Sequence, residues 1–159
     1  MFNEIRSTTV VVSLLFAVLG VTPISAEEAN VFAETKAQTD IDIQIAVANA
    51  SKAWKDTFNS GDAAGAAALY EEDAVMFVKP FGIFTGKDEI LAFWTDLISK
   101  GFDDVVYSDT TTVILDEQSA RVSADWKMNN AHGVITNEVW VIQADGRALL
   151  REDHFEVEQ

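Results

Sequence analysis

Apolar residues recur in two different periods along this chain, and the change from one to the other divides it. From Gln38 to Phe58 the apolar positions Ile43, Val47, Ala50, Trp54 and Phe58 follow one another at steps of four and three, the spacing of one helix face. They predict a long first helix. Asn59 to Asp62 reads NSGD and stops it, because Gly61 suits the left-handed position past a helix end and Asp62 can cap a short Ala-rich second helix reaching Tyr70. Val75 to Val78 reads as a strand, Lys79-Pro80-Phe81-Gly82 as a turn, and Ile83 to Thr85 as a short strand pairing back. Thr85 and Asp88 have capping-box spacing for a third helix, whose apolar face is Ile90, Leu91, Trp94, Leu97 and Ile98 and whose end is Gly101. Residues 27–37 lack such a face and are expected to form a loose lead-in.

Beyond Gly101 the period falls to two. Asp, Asn and Gly at DEQ, NNAHG and ADG separate four strand-length segments: Asp103 to Leu115, Ser119 to Met128, Val134 to Gln143 and Arg147 to Val157. In the second, Ala120, Val122, Ala124, Trp126 and Met128 alternate with Arg121, Ser123, Asp125 and Lys127, so one face is buried and the other wet. Successive hairpins then give an antiparallel meander. Helices gathered in the first half and strands in the second imply an α+β fold in which three N-terminal helices cover one face of a curved antiparallel sheet.

Composition narrows the function. The 159 residues make one domain, and 26 Asp and Glu against 11 Lys and Arg give a net charge of −15, which repels a phosphate backbone and excludes nucleic acid as a partner. With no cysteine there is no thiol nucleophile, disulfide or Cys-bound zinc. At the N-terminus Arg6 precedes an apolar run from Val10 to Val21, then Pro23, Ser25 and Ala26, which is the pattern of a secretory leader over residues 1–26 cut after Ala26. Export to the periplasm or medium follows, without a stable membrane anchor after cleavage. Glu4 and Arg6 leave together, so the domain at residues 38–159 and its lead-in keep the whole −15.

Two strings resemble a known family in order and spacing. Gly61 to Ile90, GDAAGAAALYEEDAVMFVKPFGIFTGKDEI, and Thr136 to Arg147, TNEVWVIQADGR, are similar to segments of the nuclear transport factor 2-like superfamily, in particular its SnoaL-like and ketosteroid-isomerase-like bacterial branch. The resemblance covers about Ile41 to Val157 and implies a cone, a bent cystatin-like sheet wrapped by three helices around an apolar pocket, often in dimers. It also implies, for an isomerase, a catalytic carboxylate close before Pro80 and a Tyr on the first helix. This chain has Val78 or Lys79 at the one place and Trp54 and Phe58 at the other.

Two residues remain as candidate proton-transfer groups. Glu138 aligns with the acidic position that the resemblance places at the isomerases' oxyanion site. A five-residue NNAHG loop would turn it into the pocket, and a loop of even length would turn it outward. His154 has Glu152 two residues earlier on the same strand face, an arrangement suited to a general base near neutral pH. The expected pocket lining is Trp54, Phe58, Tyr70, Phe77, Trp94, Trp126 and Glu152. His132 belongs to a surface turn, and the lone histidines have no metal-site spacing, so neither metal nor cofactor is expected.

The first expectation for function is an exported domain binding a small hydrophobic or amphipathic molecule. The alternatives are a SnoaL-like or isomerase-like enzyme moving a proton on a carbonyl substrate with Glu138 or His154, and a dimerisation or scaffold domain without ligand. A homodimer is expected because Ile135, Val139 and Val141 form a second apolar face on their strand.

Overall fold

The computed structural model describes residues 25–158. Residues 1–24, the bulk of the expected leader, lie outside the described residues. The elements in chain order are α1 (Ala26–Asn59), α2 (Ala63–Ala67), β1 (Tyr70–Lys79), β2 (Gly82–Thr85), α3 (Lys87–Ser99), β3 (Val106–Asp116), β4 (Ser119–Lys127), β5 (His132–Ile142) and β6 (Ala148–Val157).

Helix α1 begins twelve residues before the first expected turn, so the loose lead-in over residues 27–37 is corrected to helix. The reason is local. Ser25 accepts from the backbone N–H of Glu28 while the Glu28 carboxylate accepts from the backbone N–H of Ser25, a complete capping box. Side chains four apart then pair along the exposed rod: Asn30 with Glu34, Lys36 with Asp40 and Gln38 with Asp42. An apolar face reports packing, and this part of the helix packs on nothing among the described residues. Burial starts at Ile43 and continues through Val47, Ala50, Trp54 and Phe58. Among the described residues no helix is long and apolar enough to cross a membrane.

Helix α2 stops at Ala67, short of the expected Tyr70, which instead opens β1 and is fully buried there. The expected Thr85–Asp88 capping box does not form. Gly86 is the N-cap of α3, with φ 82°, and the Glu89 carboxylate takes the backbone N–H of Thr85.

The sheet runs β2-β1-β6-β5-β4-β3. Strands β3 to β6 form the antiparallel meander, while β1 lies parallel to β6 and seats the helical half against the last strand. The inner faces of α1 and α3 cover one side, closing a core that includes Trp54, Phe58, Trp94, Trp126, Trp140 and Leu150.

Bulges decide which residues look into that core. Strand β4 alternates regularly, with Ala120, Val122, Ala124 and Trp126 all inward. Its neighbour does not: Ala124 pairs with Ile135 but Val122 pairs with Glu138, so β5 spends three residues against two. The extra residue lies at Thr136, whose hydroxyl bonds the carbonyl of His154. Strand β6 carries a second bulge at Arg151, between the pairs Trp140 with Leu150 and Val139 with Glu152. Each bulge bends its strand and reverses the faces beyond it. One consequence is that Ile135 is buried inside, so the expected second apolar face of Ile135, Val139 and Val141 is not one face.

Candidate functional site

Side chains from α1, α3 and four strands meet in a small cavity under these two helices. Trp54 comes from α1, Trp94 from α3, Tyr107 from β3, Trp126 from β4, Glu138 from β5, and Asp153 and Phe155 from β6. The cavity volume is about 20 Å³, which is room for one water or one ligand oxygen. Its walls are held by aromatic packing: Trp54 meets Trp94 edge-on at 5.0 Å between centroids and stacks on Phe58 at 5.4 Å. The indole N–H groups of Trp54, Trp94 and Trp126 are buried without a partner among the described residues.

Glu138 and Asp153 supply the only carboxylates of this lining, and they are direct partners across the β5–β6 ladder. Both are buried, at 2% and 4% exposure. Each oxygen that is occupied has an aromatic donor. The Tyr70 hydroxyl donates to Asp153 Oδ2 at 2.6 Å, the Tyr107 hydroxyl to Glu138 Oε1 at 3.1 Å, and the Trp140 indole to Glu138 Oε2 at 3.0 Å. Lys55 lies over the Tyr107 ring, its Nζ 4.2 Å from the centroid.

Two ionised carboxylates cannot share so dry a site cheaply. Burial pushes Asp153 up to about 8, and the facing charge of Glu138 adds to the rise against the opposing Tyr70 bond. Burial also raises Glu138, but its bonds from Trp140 and Tyr107 and the charge of Lys55 hold it down. Both carboxyl groups are therefore shifted upward, and Asp153 is the member of the pair that keeps its proton at neutral pH. Burial raises both tyrosine hydroxyls well above their ordinary value, so they remain donors.

A second cavity of about 90 Å³ adjoins the first through shared walls at Trp126, Met128 and Phe155. Its remaining lining, including Val78, Phe93, Leu97 and Phe102, is wholly apolar.

The structure brings Trp54, Trp94, Trp126 and Glu138 to the cavity. Phe58 stands behind Trp54 in the core, and Tyr70 behind Asp153, both fully buried. Phe77, Glu152 and His154 are not pocket residues. They lie together on the outer face, His154 against the Phe77 ring at 5.8 Å and with Nε2 4.0 Å from Glu152. The bulge at Arg151 is the physical cause, since it exchanges the inward positions expected of Glu152 and His154 for that of Asp153. The NNAHG loop is also shorter than five: Lys127 pairs with His132, leaving four residues between them. That even count alone would have turned Glu138 outward, and the bulge at Thr136 turns it back.

Asp153, Tyr107, Lys55 and Trp140 were not legible as site residues. One signal was present. Ile135 and Trp140 are five apart, as are Leu150 and Phe155, and bulky apolar residues an odd number apart in one strand can share a face only across a bulge. Val78 is fully buried and Lys79 is exposed and paired with Glu156, so no carboxylate stands close before Pro80. Among the described residues no three His, Asp or Glu side chains converge to hold a metal ion.

Solved structures of the same shape come from several bacteria. A scytalone dehydratase-like protein of Novosphingobium aromaticivorans superposes with a TM-score of 0.67 at 15% identity, over 77% of this chain and 89% of that one. A ketosteroid isomerase-like protein of Erwinia carotovora gives 0.63 at 17% identity, over 72% and 95%. A protein with a cystatin-like fold from Nostoc punctiforme gives 0.63 at 13%, over 72% and 90%. These likenesses establish the fold. No curated protein matches the sequence. The family model of the SnoaL-like domain matches residues 52–151, more than half of the chain and the stretch that carries the cavity residues from Trp54 to Glu138, ending just before Asp153 and Phe155, and the protein belongs to the SnoaL-like domain family.

Proposed function

We propose that this domain binds a small, mostly apolar molecule bearing one carbonyl or hydroxyl oxygen, with that oxygen seated against Glu138 and Asp153, and that the acid pair moves a proton on it. The observation that carries this reading is that two buried carboxyl groups, direct partners across the β5–β6 ladder, line a cavity of one-oxygen size. Burying such a pair costs several kcal/mol when it serves only packing. In this arrangement protonated Asp153 donates to the ligand oxygen, Tyr70 occupying its other oxygen, while carboxylate Glu138 accepts a proton from the neighbouring carbon. The orphan indole donors around the cavity favour an acceptor oxygen there.

The test uses the full mature chain with simple ketones. Tryptophan emission should respond to the ketone, and proton NMR in deuterated buffer should show catalysed exchange at the carbon beside the carbonyl. Glu138→Gln should lower that exchange at least a hundredfold while ketone binding persists. Binding without exchange leaves a binding module. Neither signal with any ketone sinks the reading.

Export belongs to this proposal too: the run from Val10 to Val21 followed by Pro23, Ser25 and Ala26 supports a leader cut after Ala26. Mass spectrometry of the exported chain should find Glu27 at its start; the cut takes Ser25 and its capping box with it, so that in the mature chain the first turns of α1 rest on the side-chain pairs alone. A homodimer rests on the apolar members of the outer face, Val75, Phe77, Ile83 and Val139, and sedimentation at micromolar concentration decides it.

A further inference from the structure

The two cavities do not end at the apolar one. Phe81 and Phe93, which line its outer side, also line an open groove between β2 and α3, together with Ile83, Phe84 and Ala92. A ladder of aromatic rings joins this groove to the acid pair. Phe84 meets Phe93 at 4.7 Å between centroids, Phe93 meets Phe155 at 6.4 Å, and Phe155 meets Trp126, a wall of the polar cavity, at 6.0 Å. At the outer end Phe81 and Ile83 are 64% and 63% exposed, a large apolar outlay on a surface otherwise dense in charge.

Charge then limits what can lie along this line. The inner end is the Glu138–Asp153 pair, and the groove at the outer end is bordered by Glu89 and Asp96. A carboxylate or phosphate is repelled at both ends, and the apolar cavity between them offers it no partner.

We infer that the ligand is an elongated, uncharged amphiphile, such as a long-chain ketone or alcohol, with its oxygen at Glu138 and Asp153, its hydrocarbon body in the apolar cavity and its far end emerging past Phe81 into the groove between β2 and α3. This rests on the reading of the polar cavity given above and adds the length, direction and charge of the molecule. Phe81 is the specificity residue for length. It sits on the turn between β1 and β2, touches no part of the acid pair, and is exposed enough to be replaced without cost to the fold.

Calorimetric titration of the mature chain with butanone, hexanone and decanone, all methyl ketones, and with decanoate tests this. Kd should fall by about fourfold for each methylene that becomes buried, the equivalent of ~0.8 kcal/mol. Decanoate should not bind at neutral pH. Phe81→Ala should weaken decanone by about tenfold and leave butanone unchanged, the gradient expected when only the tail reaches this side chain. Decanone binding no tighter than butanone overturns the inference and leaves the reading of the polar cavity intact. So does an unchanged decanone Kd in Phe81→Ala, or decanoate binding as tightly as decanone. Failure of every ketone to bind overturns both.

Discussion

Glu138 and Asp153 face each other across the β5–β6 ladder, each buried and each bonded to its own tyrosine. Neither would occupy its place if its strand were regular. The bulges at Thr136 and Arg151 lie close together on adjacent strands, and together they bring two acids onto the inner face that strict alternation from Ile135 and Leu150 would have put outside. The site's electrostatics thus follow from backbone irregularity.

The protonation of that pair makes stability depend on pH in an unusual sense for a carboxyl group. In the unfolded chain Asp153 loses its proton near the ordinary aspartate value of 3.8, whereas in the fold it keeps it up to about 8. Between those limits the native state binds more protons than the unfolded state, so this group's contribution falls as pH rises from about 4 to about 8 and is level outside that window. Asp153→Asn removes the dependence. Urea midpoints measured from pH 5 to pH 8 should therefore decline less steeply in the variant, and parallel curves would refute the assignment.

Tyr70 donates at 2.6 Å to a carboxyl group that has lost its water. Tyr70→Phe keeps the ring and its packing but leaves Asp153 without that donor, at an expected cost of about 1–3 kcal/mol. Tyr107→Phe should cost less, because Trp140 continues to hold Glu138. Denaturant unfolding of the two variants gives the order directly, and a larger loss at Tyr107 would show that the Lys55–Tyr107–Glu138 chain, and not Tyr70–Asp153, anchors the pair.

On the outer face, His154 and Glu152 have no route to the cavity. His154→Ala and Glu152→Gln should leave ketone binding and proton exchange within twofold of the parent and stability within about 0.5 kcal/mol. A hundredfold loss of exchange in His154→Ala would restore the role that sequence spacing suggests.

Gly133 is required for close approach. A Cβ there would stand 2.8 Å from the Trp126 ring, and closer still to the carbonyl oxygen of Glu156 on β6. Gly133→Ala should therefore cost about 3 kcal/mol or more, since backbone on one side and a core indole on the other cannot both yield. Thermal unfolding checks it; a change below about 1 kcal/mol would mean that β5 and β6 separate freely at this end.

Periodicity along the chain was enough to place the helices, the meander and the aromatic core, because burial repeats every three to four residues on a helix and every two on a strand. Ile43 to Phe58 and Ala120 to Met128 carry that signal without interruption. It was silent where structure owes nothing to burial, as in the first turns of α1, which a capping box and side-chain pairs hold in helix while exposed on every side. It misled where one residue was inserted. A single extra residue at Arg151 exchanges His154 for Asp153 at the cavity, and one at Thr136 keeps Glu138 inside despite an even loop. The sequence by itself determined which residue types were present for acid–base chemistry. Which of them face one another was decided by tertiary structure, because a bulge is fixed by packing across neighbouring strands and leaves no composition of its own to read.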